Sequence, residues 1–235
     1  MDGDLAPLAG IVELAQRHGA RVVVDEAHTT GVVGPGGRGL VAALGLERTV
    51  DVVVGTLSKA LGSYGAFVCC DPAMAEFLVN RARTLIFSTA LPPPAVAAAG
   101  AALKIIRDQP AIVERLRRNS RQLRGELAAG GFDVPAGETP IIPLIVGDPR
   151  AATAFCEAAL QAGVFAQAIR PPTVPDGTSR LRLVAMASHS DQDLCTAATR
   201  LATASTQAIS TNQLRRRQRE SRTSRDQVPV PSRPS

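Results

Sequence analysis

Aromatic residues are scarce in this sequence. They make up 3% of its 235 residues, and tryptophan is absent. The hydrophobic fraction is nevertheless 45%, so a folded core must be built almost entirely from aliphatic side chains. No apolar stretch approaches the length of a membrane-spanning helix, and the N-terminus shows no signal peptide. We therefore expect a globular protein that is not inserted in a membrane.

Cysteine is also infrequent, with four residues at Cys69, Cys70, Cys156 and Cys195. Their spacing fits neither a metal site nor a disulfide framework. Cys69 and Cys70 end an apolar run, where we expect buried, reduced thiols. This cysteine usage is typical of a reducing compartment, so we predict a cytoplasmic location.

Basic charge is concentrated at the C-terminus. The formal net charge is +5, and the segment from Leu214 to Ser235 holds seven arginines against Glu220 and Asp226. The rest of the chain is therefore neutral. Residues 210–235 contain few hydrophobic side chains, which predicts a disordered tail. A basic tail can contact nucleic acid, but this one lacks interleaved aromatics for base stacking, so a solvated extension is the favoured interpretation.

Alternating helical and apolar strand patterns predict an α/β fold. Apolar runs at Arg21–Asp25 and Val50–Gly55 indicate buried strands, and a helical pattern precedes each of them. This order favours a parallel sheet covered by helices. The next strand, Tyr64–Cys70, follows too closely for a parallel crossover, so we expect it to run antiparallel to its neighbour.

The pattern changes beyond Gly130, where short strands and helices indicate a smaller α+β domain. We predict a partial large domain over residues 1–108, and a C-terminal domain over 109–209 that ends in a helix at Asp191–Ala208. The disordered tail over 210–235 follows it.

The segment Asp51–Gly62 is the most informative part of the chain. Its apolar strand ends at Gly55, so Lys59 follows the carboxyl end of a strand, where open α/β sheets build their sites. The hydroxyls of Thr56 and Ser58 flank this lysine and suit an anionic group. A second strand-end cluster, Asp25–His28, precedes it. Together these features predict a lysine that holds a cofactor as an imine.

Each of these residues also has an ordinary structural interpretation. Asp25 and Glu26 at a strand end could cap a helix, and His28 could be a loop histidine with a local partner. Arg180 and Arg182 lie two apart on a predicted strand, so they face the same side and could form a solvated surface. Their occurrence together with Lys59 favours the functional interpretation.

Three segments together resemble the α-oxoamine synthases, which are fold-type-I enzymes that use pyridoxal 5′-phosphate. The segments are Val22–Gly31, Gly55–Gly62 and Arg170–Arg182, in the order and spacing of the family. The resemblance runs from Met1 to about Ala208. It implies a mostly parallel large-domain sheet, a smaller C-terminal domain and a homodimer. It also implies an acyltransferase that joins an amino acid to an acyl-CoA with loss of CO2.

Within this family, the Arg170–Pro175 segment is most similar to the branch that makes 8-amino-7-oxononanoate in biotin biosynthesis. That likeness implies L-alanine and pimeloyl-CoA, or the carrier-protein thioester, as substrates. Two alternatives stay open. The chain could be another α-oxoamine synthase, such as one resembling 2-amino-3-ketobutyrate CoA ligase, or an inactive fragment that acts at most as an interaction module.

The resemblance also implies roles for residues around the cofactor. Lys59 would form the imine with the cofactor aldehyde and later move protons at the substrate α-carbon. Asp25 would pair with the protonated pyridine nitrogen, and His28 would donate toward the ring 3-oxygen. Thr56 would contact the phosphate, with the hydroxyl of Ser58 beside it.

Further implied contacts lie outside this cluster. Thr89, with Ser88 as the neighbouring candidate, resembles the segment that reaches a phosphate across the dimer interface. Thr173 and Arg182 resemble substrate contacts, with Arg182 holding the amino-acid carboxylate.

The front of the chain departs from the family pattern. Family members carry a long segment before the position that corresponds to Met1, and that segment holds the phosphate cradle and the ring that stacks on the cofactor. We therefore expect the chain to be truncated at its N-terminus relative to the family. A sheet without its early strands would expose an unpaired edge and aliphatic surface, and we expect this chain alone to bind the cofactor weakly or not at all.

Overall fold

The computed structural model describes the backbone of residues 1–225 and the side chains of residues 1–208. The chain divides into two compact units, described separately below. The N-terminal unit is Asp4–Arg118, and the C-terminal unit contains the residues from Asn119 onward together with Met1–Gly3. The division falls inside a helix, at Arg118, whereas the sequence predicted a boundary after residue 108.

The N-terminal unit alternates helices with three strands. Its elements are α1 (Leu8–Arg17), β1 (Val23–Asp25), a 3-10 turn (Pro35–Gly37), α2 (Leu40–Ala43), β2 (Val52–Thr56), β3 (Ala66–Cys70), α3 (Pro72–Arg81), α4 (Arg83–Ile86), α5 (Pro93–Asp108) and the start of α6 (Ala111–Ala129).

The sheet of this unit has the order β1-β2-β3. Strands β1 and β2 are parallel, with Asp25 opposite Val54. Strand β3 is antiparallel to β2 and pairs Val68 with Val54, because the connection after Thr56 is too short for a crossover. Both predictions from the sequence, the parallel pair and the antiparallel third strand, are confirmed.

Aliphatic side chains alone form the two buried clusters of this unit. Leu8 and Val12 of α1 lie one turn apart, so one face of the helix packs onto the sheet. The remaining buried members of the two clusters are Val22, Val33, Leu40, Val41, Leu57, Leu61 and Ala99.

Other aliphatic side chains of the same sheet remain exposed. Val23 on β1 is 65% exposed and Val68 on β3 is 49% exposed. In the described part of the chain β1 pairs on one side only, with β2. The expectation of exposed aliphatic surface on this sheet is therefore confirmed, since parallel strands are ordinarily covered on both faces.

The C-terminal unit packs helices on one face of a small antiparallel sheet. Its elements after α6 are β4 (Ile141–Gly147), α7 (Pro149–Gln161), β5 (Gln167–Ile169), β6 (Ser179–Val184) and α8 (Asp191–Arg225). The sheet order is β4-β6-β5, so β6 is central. Leu181 on β6 is fully buried among residues of α7 and α8, as expected for an α+β arrangement.

Phe132, which follows α6, donates its N–H to the Leu127 carbonyl at 3.1 Å and stacks on Phe155. The last helix of this unit differs from the sequence prediction. Helix α8 continues to Arg225, although the sequence predicted its end at Ala208 and disorder over 210–235. Neither Gly nor Pro occurs between α8's start and Pro229, and Arg and Gln are good helix formers. Residues 226–235 of the predicted tail lie outside the described residues.

None of the helices in the described part of the chain combines the length and the apolarity needed to cross a membrane.

Candidate active site

Lys59 lies in an exposed loop held at both ends by buried leucines. Leu57 and Leu61 are 8% and 4% exposed and pack against α5, whereas the residues between them are exposed. The N–H of Leu57 donates to the carbonyl of Gly65 at 2.9 Å, which closes the loop at its base. The loop therefore presents the Lys59 amine to solvent from a rigid anchor.

The strand that leads into this loop requires a glycine. Gly55 pairs across the sheet with Phe67, and a Cβ at Gly55 would lie 2.2 Å from the Phe67 ring. No side chain fits between this backbone and the ring. The Gly-Thr step that breaks the apolar run in the sequence is thus a packing requirement at the strand end.

Two hydroxyls stand beside the lysine. The oxygen atoms of Thr56 and Ser58 are 2.8 Å apart, and the Thr56 hydroxyl donates to the Gly65 carbonyl at 3.1 Å. Because these hydroxyls rotate freely, each can turn its O–H toward an anion instead. Their chemistry fits the predicted phosphate contact.

Asp25 lies at the end of β1, at the same edge of the sheet. In the parallel register it is opposite Val54, and Val54 precedes Thr56 by two residues. Its carboxylate accepts a hydrogen bond from the N–H of Ala27 at 2.8 Å. Both Asp25 and His28 are exposed, so the turn offers a carboxylate and an imidazole at the strand end.

A close contact brings this turn against the lysine loop. Gly31 has a φ of +77°, and a Cβ built on it would lie 2.8 Å from the Cβ of Ala60. Gly31 follows His28 by three residues, and Ala60 follows Lys59 directly. The N-terminal unit therefore assembles Asp25, His28 and the Thr56–Lys59 segment at one edge of its sheet.

The sequence suggested only one role for Glu26, that of a possible helix cap together with Asp25. Unlike Asp25 it turns inward and is 3% exposed, and its carboxylate accepts from the N–H of Val41 at 2.6 Å. Burial raises the pKa of Glu26, and hydrogen bonds from the backbone of Val41 and Leu40 act in the opposite direction. The capping interpretation is therefore correct for Glu26, which bonds the start of α2. No local pattern could reveal this contact, because its partner lies 15 residues away.

Thr89 is not part of this cluster. It is exposed in the segment after α4. The segment itself passes close to the base of the lysine loop, since a Cβ on Gly65 would lie 2.8 Å from the Leu91 side chain. The role of Thr89 across a dimer interface stays a prediction.

Thr173 and Arg182 belong to the C-terminal unit. Thr173 is exposed, and its N–H donates to the carbonyl of Arg170 at 3.1 Å. Arg182 lies on the central strand β6, between Pro143 of β4 and Gln167 of β5. Its Nε is buried, and no described residue accepts a hydrogen bond from it. A buried donor in this state can bind an anion or an ordered water, and Arg124 Nε and Ser179 Oγ share it.

The interpretation of Arg180 and Arg182 as a solvated surface is wrong for Arg180. That side chain is 5% exposed, forms an ion pair with Asp2, and donates from Nε to the Thr178 carbonyl at 2.9 Å. Asp2 is far away in sequence, so strand periodicity alone could not reveal the pair.

The residues at this sheet edge fit pyridoxal 5′-phosphate. A primary amine, a carboxylate, an imidazole and a pair of hydroxyls match the aldehyde, ring nitrogen, ring oxygen and phosphate of that cofactor. All five side chains are exposed or half-buried at the strand ends, so the group can reach them. The residues are Asp25, His28, Thr56, Ser58 and Lys59.

A sequence model of the family described as "Aminotransferase class I and II" matches residues 1–201. The chain belongs to the aminotransferase class I and II family. Among its relatives, the protein named 8-amino-7-oxononanoate synthase of Anaeromyxobacter dehalogenans is 50% identical over 191 residues, which cover 81% of this chain and 48% of the relative. That of Trichlorobacter lovleyi is 47% identical over 196 residues, 83% of this chain and 50% of the relative. The chain thus spans about half the length of the curated relatives it matches.

Solved structures with this fold include two kinds of enzyme. Serine palmitoyltransferase of Sphingomonas wittichii is 34% identical with a TM-score of 0.84, covering 88% of this chain and 53% of that one. An 8-amino-7-oxononanoate synthase of Francisella tularensis is 26% identical with a TM-score of 0.73, covering 86% and 59%. Another serine palmitoyltransferase structure is named as holding PLP in an internal aldimine. The predicted resemblance to α-oxoamine synthases, the fold type and the family cofactor are thereby confirmed.

The buried carboxylate of Glu26 gives a testable pH dependence. Because its pKa is raised in the folded state, the protonated form is favoured by folding. Protonated Glu26 contributes to stability when the pH is below the pKa of the unfolded chain, about 4.5. This contribution is lost as the pH rises through the pKa of Glu26 in the folded protein. The free energy of unfolding of the wild type, relative to that of Glu26→Gln, should therefore fall as the pH rises.

Urea unfolding, followed by far-UV circular dichroism from about pH 4.5 upward, measures the free energy of unfolding of the wild type and of Glu26→Gln. Glu76→Gln, which removes an exposed carboxylate of α3, is the matched control. If the free energy of unfolding of the wild type instead rises relative to that of Glu26→Gln as the pH rises, the folded state favours the ionised form of Glu26.

Proposed function

We propose that this chain carries the lysine-bearing part of the active site of a pyridoxal-phosphate-dependent α-oxoamine synthase. Such an enzyme joins an amino acid to an acyl thioester with loss of CO2. The observation that supports this best is the parallel pairing of β1 and β2, with Gly31 packed on Ala60. It brings the Asp25–His28 turn and the Thr56–Lys59 segment to one edge of the sheet.

When bound, pyridoxal 5′-phosphate supplies a conjugated ring that takes up electron density from the α-carbon of the amino acid. Lys59 holds the cofactor through its amine and moves a proton at the substrate α-carbon. Asp25 keeps the pyridine nitrogen protonated, because a neighbouring negative charge favours the charged form. His28 donates toward the ring oxygen, and the hydroxyls of Thr56 and Ser58 turn to the phosphate.

Arg182 holds the carboxylate of the amino acid, with Thr173 as a further substrate contact. A guanidinium binds a carboxylate through two parallel hydrogen bonds in one plane. The buried Nε of Arg182, which lacks a partner among the described residues, is available for one of these bonds. An incoming carboxylate would thus satisfy a donor that folding leaves unsatisfied.

We further propose L-alanine and pimeloyl-CoA, or its carrier-protein thioester, as the substrates, with 8-amino-7-oxononanoate as the product. The names of relatives near 50% identity support this branch. One observation favours a different α-oxoamine synthase activity, that of a serine palmitoyltransferase. The chain is 34% identical to the solved Sphingomonas wittichii enzyme of that name but 26% identical to the Francisella tularensis enzyme. All four cysteines are free thiols, which supports a cytoplasmic, reducing location. Cys69 is exposed and Cys70 is half-buried, so the expectation that this pair is buried is wrong.

Lysine occurs at two positions in the sequence, Lys59 and Lys104, and this gives a direct test. The chain is incubated with excess pyridoxal 5′-phosphate, reduced with borohydride, and its labelled peptides are quantified by mass spectrometry. We expect label at Lys59 well above that at Lys104, an exposed lysine of α5, because only Lys59 has the surrounding carboxylate, imidazole and hydroxyls. Lys59→Arg should abolish the preference, and Lys104→Arg should leave it intact.

The same labelling separates the substrate alternatives. A substrate amine competes with Lys59 for the cofactor aldehyde, so the matching amino acid lowers Lys59 labelling most. L-alanine should do so more than L-serine or glycine. Equal labelling of both lysines in the wild type would contradict the proposed function, and a stronger effect of L-serine would favour the alternative branch.

We also propose that the working protein is a homodimer and that a second copy covers α3 and α4. Neither helix buries a side chain, and the large apolar side chains there are well exposed, with Phe87 at 78%. Thr89, the residue implied to reach across the interface, lies two positions further on. The other exposed apolar side chains of this surface are Phe77, Val79, Leu85 and Ile86.

Sedimentation velocity tests this surface. We expect a dimer for the wild type and a shift toward monomer for Phe87→Ser, because the substitution removes apolar area from the interface. Phe165→Ser alters an equally exposed phenylalanine of the C-terminal unit, 82% exposed, and should leave the dimer intact. A monomeric wild type, or equal effects of the two substitutions, would contradict the proposed interface.

A further inference from the structure

Glu26 lies between two proposed cofactor contacts but points away from them. Asp25 and His28 are exposed at the strand end, whereas Glu26 is 3% exposed. A carboxylate is rarely buried this deeply without a partner. Its partners, rather than its neighbours in sequence, therefore indicate what it does.

The side chain of Glu26 is tied to the first turn of α2. Its Oε1 accepts from the N–H of Val41 at 2.6 Å, and the N–H of Leu40 also donates to the carboxylate. Gly39 packs directly on the other side, since a Cβ there would lie 1.7 Å from Oε2. The carboxylate is thus enclosed between the start of α2 and a residue that must be glycine.

The backbone of Glu26 is tied to the proposed site. Its N–H donates to the carbonyl of Val54 on β2 at 2.7 Å. Its carbonyl accepts from the N–H groups of Thr29 and Thr30 at 3.0 and 2.9 Å, closing the turn that contains His28. One residue therefore connects three parts: α2 through its side chain, β2 through its N–H, and the His28 turn through its carbonyl.

Capping alone does not explain this arrangement. Helix α2 has four residues, and a Ser, Asp or Asn at the position before it would cap it locally. The chain instead has Gly39 there and uses a carboxylate from 15 residues earlier, at the cost of burying a charge-bearing group. What the distant carboxylate adds is a fixed distance between α2 and the Asp25–His28 turn.

We propose that Glu26 is a positioning residue that fixes the Asp25–His28 turn relative to the Lys59 loop by fastening it to α2 beside Gly39. This inference rests on the proposed roles of Asp25, His28 and Lys59. Loss of the carboxylate frees the turn, and the imidazole of His28 and the carboxylate of Asp25 then sample positions away from the cofactor that Lys59 holds.

The imidazole resonances of the full chain provide a readout that is independent of activity. The sequence has three histidines, His18, His28 and His189, so His18 and His189 serve as internal references. We expect Glu26→Ala to shift the resonance of His28 alone. Glu26→Gln keeps a carbonyl oxygen that can accept from Val41, and it should restore most of the wild-type shift.

Borohydride labelling in pyridoxal 5′-phosphate gives the second readout. We expect Glu26→Ala to lower the ratio of label at Lys59 to label at Lys104 by about tenfold, the scale of losing one hydrogen bond. If the wild type shows no preference for Lys59, the proposed function is wrong, whereas the His28 resonance still decides whether Glu26 positions the turn.

A double-mutant cycle with Gly39 tests the fastening itself. Gly39→Ala drives a methyl group into the Glu26 carboxylate, so it should shift the His28 resonance as Glu26→Ala does, and the double variant should show no further change. Gly45→Ala is the matched control, because Gly45 also has a positive φ but has open space around its Cβ position. It should leave the His28 resonance unchanged.

One outcome would overturn the proposal. If Glu26→Ala speeds amide hydrogen exchange at Val41 but leaves the His28 resonance and the labelling ratio at wild-type values, Glu26 merely caps α2. Additive shifts from Glu26→Ala and Gly39→Ala would equally contradict a shared fastening.

Discussion

The parallel pairing of β1 with β2 is the interaction on which the proposed site depends. Because both strands run in the same direction, the residues that follow them emerge at one edge of the sheet. Asp25 ends β1 and Thr56 ends β2, in the register that sets Asp25 opposite Val54. A shift of one residue would turn the side chain of Asp25 to the other face. Gly31 then allows the close contact with Ala60 that holds these two ends together, and Gly55 allows β2 to pack against Phe67 of β3.

The sequence alone predicted this arrangement well, for a local reason. The Val22–Asp25 and Val52–Val54 runs are apolar and β-branched, which is typical of buried strands, and the short link to β3 excluded a parallel crossover. Glycine and hydroxyl residues after a strand indicated a site, although the glycine at 55 is also required by packing against Phe67. The motif around Lys59 carried family information as well, and the match over residues 1–201 confirms it.

Contacts between residues far apart in sequence were the part that sequence reasoning missed. Glu26 bonds Val41, and Arg180 pairs with Asp2; neither pair leaves a periodic signal. The boundary between the units was also missed, because it falls inside α6, whose helical pattern continues across it. Helix α8 extended further than expected, since no glycine or proline ends it. The two side-chain pairs and the unit boundary depend on tertiary contacts, which local patterns do not report. The length of α8 is different, because the absence of Gly and Pro before Pro229 can be read from the sequence.

The most direct measurement of the central claim is a nuclear Overhauser effect between the α-protons of Gly31 and the methyl protons of Ala60. It can be recorded on the full chain with selective glycine and alanine labelling. The two residues belong to the turn that carries His28 and the loop that carries Lys59, and their packing requires the parallel β1–β2 register. A strong cross-peak is predicted. Its absence, in a folded sample that shows the β2–β3 contact between Gly55 and Phe67, would contradict the assembly of this site.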